Sequence, residues 1–190
     1  RLVFASDGRT FGRALKKVQE RGIEICVSDD TAAELGATPF QSLLDRPISS
    51  AVVSARTQVG PDTIAKFLLT SGSTGYPKAV TNTQRMICAN QAQLSEAMAF
   101  LKDEPPILVD WLPWAHTFGS NHNFGIALYN GGTLYIDEGK PIPAGIAATI
   151  ANLREIAPTI YFNVPKGFEA LLPHLQADEA LRRHFFSRLR

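Results

Sequence analysis

Short apolar runs alternate along this chain with longer stretches whose apolar residues recur at helical spacing. That alternation predicts an α/β fold, mainly parallel sheet with flanking helices. Leu2-Val3-Phe4-Ala5 is the first short run. Phe11, Leu15 and Val18 then keep one helical face, and Gly22 supplies a stop. Ile23 to Ser28 reads as the next strand. Residues 29–60 are less regular: Pro39, Pro47 and Pro61 interrupt them, and Ala51-Val52-Val53 predicts a short edge strand. Ile64 to Thr70 is a strand, and Ala79-Val80 is placed to return beside it.

The second half continues in the same manner. Thr81 and Gln84 are spaced as a capping box. Behind them Ile87, Asn90, Leu94, Ala97, Met98 and Leu101 mark the packed face of a helix. Ile107-Leu108-Val109 predicts a buried strand, and Phe118 to Tyr129 a helix closed by Asn130-Gly131-Gly132. Thr133 to Asp137 is a strand, Ile146 to Ala157 a helix, and Thr159 to Phe162 a further strand. Pro165 to Leu175 predicts a helix with proline in its first turn. Asp178 to Arg190 reads as a last amphipathic helix. No repeat or low-complexity linker is visible.

Composition narrows the class. The chain has 190 residues, 45% of them hydrophobic and 19% charged, which describes one globular domain or a piece of a large one. A net charge of +1 without a basic block gives no support for nucleic acid or a membrane surface. No apolar run reaches the roughly 18 residues that span a bilayer. Cys26 lies in a strand-like run and Cys88 on a predicted helix, too far apart for metal-type spacing. Both read as small core residues, and reduced thiols fit a cytoplasmic setting.

Candidate chemistry is concentrated in Thr70-Ser71-Gly72-Ser73-Thr74-Gly75-Tyr76-Pro77-Lys78, which follows the apolar Phe67-Leu68-Leu69. Glycine lets the backbone turn its N–H groups to one side and approach a ligand closely. Four hydroxyls add donors and Lys78 adds a full positive charge. Such a set suits a polyphosphate, although the spacing is not that of the Gly-x4-Gly-Lys-Ser/Thr loop. The competing reading is a solvated Ser/Gly loop. With few apolar side chains, residues 71–77 have little to hold them in place without a ligand.

Residues 70–78 resemble the phosphate-loop motif of the adenylate-forming superfamily, the AMP-binding enzymes that include acyl-CoA synthetases. Ala79 stands where the motif usually has glycine, a mild departure wherever φ is negative. The second candidate segment is Asp110-Trp111-Leu112-Pro113-Trp114-Ala115-His116-Thr117-Phe118-Gly119-Ser120-Asn121-His122-Asn123-Phe124-Gly125. Both tryptophans of the chain lie in it. His116 and Phe118 fall where acyl-CoA synthetases carry a histidine and an aromatic residue beside the acid. An aromatic wall suits an aryl substrate, and a histidine can hydrogen-bond a carboxylate. A structural histidine closing a strand–helix turn is the alternative for His116. His122 reads as a core or surface polar residue, and His174 and His184 as ordinary helix residues. This segment, Leu128 to Asp137 and Phe162 to Phe168 together resemble the feruloyl-CoA synthase branch, over about residues 60–190 and only loosely before that.

The resemblance implies a function. Such an enzyme joins a carboxylate to ATP, releases pyrophosphate, and passes the acyl group to coenzyme A; ATP, Mg²⁺ and coenzyme A are the implied cofactors and co-substrates. It implies Lys78 and His116 as catalytic residues. It implies Thr70, Ser71, Gly72, Ser73, Thr74, Gly75 and Lys78 as nucleotide-binding, and His116, Phe118 and Gly119 as acid-binding. No metal-ligand set is expected within these residues. The superfamily's Thr-Glu segment, ribose-binding aspartate and adenylation lysine are expected after Arg190, so residues 1–190 are expected to be part of the large N-terminal domain and inactive alone. A fatty or benzoic acid ligase, or a non-catalytic nucleotide-binding module, are the rival readings.

Overall fold

The computed structural model describes residues 2–70 and 75–190, which form two compact units, 1–59 and 60–190. In the first unit, β1 (Leu2–Ala5), β2 (Glu24–Val27) and β3 (Thr38–Pro39) make a parallel sheet, with Leu2 opposite Glu24 and Cys26 opposite Thr38. Helix α1 (Gly8–Gln19) crosses between β1 and β2. Its N-terminus is capped by Asp7, whose Oδ1 accepts from the Thr10 amide at 2.7 Å. Gly22, with φ of 69°, makes the turn into β2. Short helices α2 (Ala32–Leu35) and α3 (Phe40–Leu44) follow. The core joins Ala5, Leu15, Ile25, Val27 and Ala32, and Cys26 is buried beside it.

Residues 50–57 are α4 (Ser50–Thr57), not the edge strand that Ala51-Val52-Val53 suggested. Ser49 caps this helix by accepting from the Val52 amide. Val52 and Val53 stay exposed, and no sheet partner among the described residues rewards their strand preference.

The second unit opens with an antiparallel hairpin of β4 (Ile64–Thr70) and β5 (Lys78–Thr83), so Ala79-Val80 does return beside the first strand. Helix α5 (Gln84–Ala97) follows directly. Its cap is Thr83, whose Oγ1 accepts from the Met86 amide, whereas Thr81 remains in the ladder opposite Phe67. The buried face of α5 takes in Gln91 and Ser95; Cys88, one turn earlier on the same side, is exposed rather than in the core. After a 3₁₀ turn (Ala99–Lys102), β6 (Ile107–Asp110) pairs in parallel with β7 (Thr133–Ile136), Ile107 opposite Thr133. Between them run a π-helix (Phe118–Phe124) and α6 (Gly125–Tyr129). Helices α7 (Ile146–Glu155), α8 (Pro165–Ala177) and α9 (Glu179–Phe186) complete the unit.

Strand β6 is buried on both faces, which explains its continuous apolar run. Leu108 joins Leu101, Ile126, Ala127 and Ile160 on one side. Val109 joins Ile150, Leu153, Leu171, Leu175, Leu181 and Phe185 on the other. Thr159 to Phe162 is irregular rather than a strand. Thr159 accepts the Ile107 amide through its own Oγ1 at 2.8 Å, and its amide donates to the Ile107 carbonyl at 3.0 Å. A side chain thus takes the place that a backbone carbonyl would hold in a ladder. No helix among the described residues is long and apolar enough to cross a membrane.

Candidate functional site

The hairpin brings Thr70 opposite Lys78 in the β4–β5 register, at the mouth of the loop. The Thr70 hydroxyl donates to the Lys78 carbonyl at 3.4 Å, a long bond across the closing pair. Gly75 has φ of 81°, a conformation that glycine tolerates and other residues resist. Lys78 is exposed, and no described carboxylate pairs with it. Ala79 lies in β5 with negative φ, so alanine fits there without strain. Ser71, Gly72, Ser73 and Thr74 lie outside the described residues, as does most of the loop expected to be mobile.

The second segment leaves the C-terminal end of β6. Asp110 is buried; its Oδ1 accepts from the Leu112 amide at 3.1 Å and from Asn123 Nδ2 at 3.0 Å, while Oδ2 has no described partner. Burial pushes its carboxyl above the ordinary aspartate range; Asp137 adds to that and His122 opposes it. Asp137, just past β7, is fully engaged: it accepts from the Gly139 amide, Thr149 Oγ1 and Asn152 Nδ2. With Trp111, Leu112, Trp114 and Ile136, these aspartates line a groove of about 380 Å³ outside the carboxyl ends of the two parallel strands. Open α/β sheets commonly place ligands at that end.

His116 is exposed. Its Nδ1 accepts from the Phe118 amide at 3.2 Å, which leaves Nε2 as the position free to donate in the neutral ring. Phe118 is half-buried, its ring centroid 5.2 Å from His122 and 6.4 Å from Phe162. The predicted helix from Phe118 does form, but its first part is π-helical, a wide turn that often marks functional sites. Gly119 explains how that turn sits down: a Cβ there would lie 2.5 Å from the Pro113 carbonyl oxygen and 2.7 Å from that of Leu112. Gly119→Ala gains up to about 1 kcal/mol in helix propensity. Against it stands an overpacking cost of about 1–3 kcal/mol, because the obstructing atoms are backbone. Net destabilisation is expected, read as a lowered urea midpoint with unchanged m-value.

Asp110 supports a second prediction. Its carboxyl holds its proton more tightly in the fold than in the unfolded chain, where aspartate titrates near 3.9. Its contribution to stability is therefore full below about pH 3.9 and is lost as pH rises through the native value. Asp110→Asn keeps the Oδ1 acceptor and never ionises. The stability of this variant relative to wild type should rise from pH 4 to pH 7, measured by urea unfolding at each pH.

Sequence reasoning passed over the polar groups that join the two segments. Lys66 Nζ donates to Ser120 Oγ at 3.0 Å, and Asn121 Nδ2 donates to Asn82 Oδ1 at 2.8 Å. Gln91 Nε2 donates to the Asn121 carbonyl, lying in space left by Gly125. Asn82 and Gln91 interrupt otherwise helical or strand-like patterns and are buried; that mismatch was the available signal. Among the described residues no group of three or more histidine, cysteine or carboxylate side chains converges on one point.

A β-hairpin with a Ser/Thr/Gly loop, packed by polar contacts against the histidine segment of a parallel α/β unit, has the architecture of the larger domain of adenylate-forming enzymes. Among solved structures, the luciferase-like enzyme of the nonluminescent mealworm Zophobas morio superposes with TM-score 0.65 at 16% identity, over 93% of this chain and 39% of that one. An adenylation, ketoreductase and pseudo-Asub multidomain structure of a keto acid-selecting NRPS module gives 0.66 at 19%, over 89% and 14%. A model of the AMP-binding enzyme family matches residues 1–190, and the chain belongs to that family. A 3-hydroxybenzoate/4-hydroxybenzoate–CoA ligase of Thauera aromatica is 28% identical over 88% of this chain and 31% of its own length. A long-chain-fatty-acid–CoA ligase of Xenopus laevis is 27% identical over 76% of this chain and 18% of its own. The chain thus spans about a third or less of the curated relatives it matches.

Proposed function

We propose that these residues belong to an acid–CoA ligase and supply its phosphate loop and part of its acid pocket. The observation that carries this reading is the lysine-closed loop on the β4–β5 hairpin, within a chain that the family matches from end to end. In the first step a carboxylate oxygen attacks the α-phosphorus of ATP. A P–O bond forms, the α–β bridge breaks, and pyrophosphate leaves. In the second step the thiol of coenzyme A attacks the acyl carbonyl, a C–S bond forms, AMP leaves, and the thiol proton passes to a base or water. In this reading Lys78, at the end of the loop, stabilises charge that grows on the β- and γ-phosphates. His116, with Nε2 free, offers a donor to the carboxylate or the α-phosphate.

Mg²⁺ travels with ATP in such chemistry and needs one or two protein ligands.

The acid we propose is aromatic, with ferulate or a related hydroxycinnamate first. The support is the sequence resemblance, the Phe118–His122–Phe162 ring cluster and the hydroxybenzoate ligase relative. The fatty-acid relative supports the alternative. ATP–pyrophosphate exchange by the complete gene product, across ferulate, coumarate, hydroxybenzoate and medium and long fatty acids, tests both. Exchange only with fatty acids sinks the aryl assignment; exchange with no acid sinks the ligase reading.

A further inference from the structure

The strand that delivers the phosphate loop carries a lysine that the proposed chemistry leaves unused. Lys66 sits in β4, four positions before Thr70, and is half-buried. Desolvation pulls its ammonium below the ordinary lysine range, and no described carboxylate pairs with it. Its Nζ donates to Ser120 Oγ at 3.0 Å. Ser120 in turn sends both its hydroxyl and its amide, each at 3.0 Å, to the His116 carbonyl. One residue further on, Asn121 donates to Asn82 in β5, and Gln91 of α5 holds the Asn121 carbonyl. The bonds bridge 54 and 39 residues of chain, from both strands of the hairpin to consecutive positions of the π-helix.

We infer that Lys66 and Ser120 form a positioning pair that sets the phosphate-loop hairpin against the His116 segment. The inference rests on the adenylation reading above. The two candidate chemical groups, Lys78 and His116, stand on different elements, and no described hydrogen bond joins them directly. Their relative placement depends on what ties β4 and β5 to residues 116–121. A half-buried ammonium is costly to keep without a purpose, since a leucine or methionine would pack there with less desolvation. Lysine instead reaches from strand to helix and donates to the hydroxyl that fixes the turn carrying His116. Lys66 is a positioning residue here, acting through Ser120 and the His116 backbone. A shift of about 1 Å between reacting groups can cost on the order of 10²-fold in rate.

The test uses Lys66→Met, Lys66→Arg, Ser120→Ala and the Lys66→Met/Ser120→Ala double variant in the complete gene product. Two readouts are taken: ATP–pyrophosphate exchange, and hydrogen exchange by mass spectrometry of peptides covering 113–122. Lys66→Met and Ser120→Ala should each lower kcat for exchange between about 10-fold and 10²-fold, with KM for ATP changed by less than about threefold. The double variant should be no worse than the poorer single within about twofold, because both remove one bond. Lys66→Arg should recover most of the rate. Peptides 113–122 should exchange faster in both single variants, while peptides from α7 and α9 keep wild-type protection. Wild-type kcat in Lys66→Met, additive losses in the double variant, or unchanged protection over 113–122 would each overturn the pairing. A wild-type protein with no exchange activity on any acid defeats the adenylation reading instead, and the protection measurement then judges the Lys66–Ser120 contact by itself.

Discussion

Replacing Lys78 by alanine should lower ATP–pyrophosphate exchange by about 10²–10³-fold, the usual loss when one group aimed at developing charge is removed. Lys78 opens β5 at the mouth of the loop, opposite Thr70. Its side chain is exposed and has no ion-pair partner among the described residues, so it is available to a phosphate. Exposure also predicts that the fold tolerates the change. Surface substitutions away from caps and cores usually stay within about 0.5 kcal/mol. The rate loss should then appear with an almost unchanged melting temperature and with carboxylate binding largely kept. Exchange at the wild-type rate would remove Lys78 from the mechanism. A matching collapse of thermal stability would make it a structural residue. Arginine at this position should recover only part of the rate, because its planar fork presents charge in a different geometry from a point-like ammonium.

Phe118→Leu should change the preference among aryl acids by about 1–3 kcal/mol in relative kcat/KM, or roughly 10- to 200-fold. Two effects compete at this position. The ring packs within the chain, against His122 and Phe162, so shortening it opens space and costs stability. It is also only half-buried, which leaves part of the ring for a ligand. Leucine is chosen because it retains apolar bulk and limits the first effect. The two contributions separate experimentally: a packing residue moves the melting temperature and leaves the ratio of ferulate to benzoate turnover alone. A pocket residue moves the ratio. If only stability shifts, Phe118 belongs to the ring cluster and the aryl-pocket assignment fails.

Local patterns carried most of the element assignment, because they depend on neighbours in sequence. The parallel strands read as unbroken apolar runs, since β6 is buried on both faces. The loop motif was legible for the same reason: its glycines, hydroxyls and lysine are contiguous. The failures share one cause, the presence or absence of a distant partner. Val52 and Val53 favour a strand, yet no described strand pairs with them and Ser49 caps a helix instead. Thr159 to Phe162 looks like a strand, but the Thr159 hydroxyl takes the Ile107 amide that a ladder would use. Thr81 and Gln84 have capping-box spacing, but the ladder claims Thr81 and the cap moves to Thr83.

By itself the sequence determined the α/β class, the hairpin with its loop, and which short segments bear chemistry. Those features rest on periodicity and on contiguous residues, so they need no knowledge of what lies across the fold. Tertiary structure alone decided how the two chemical segments meet. Asn82 and Gln91 break the patterns of their own elements without naming a partner, Lys66 stands out in no way, and Ser120 and Asn121 are two polar residues in a helix. Only folding brings them within hydrogen-bonding distance across 30 to 54 residues of chain. The π-turn from Phe118 is likewise a tertiary outcome. It needs Gly119 to clear the Leu112 and Pro113 carbonyls, a close approach that no local propensity encodes.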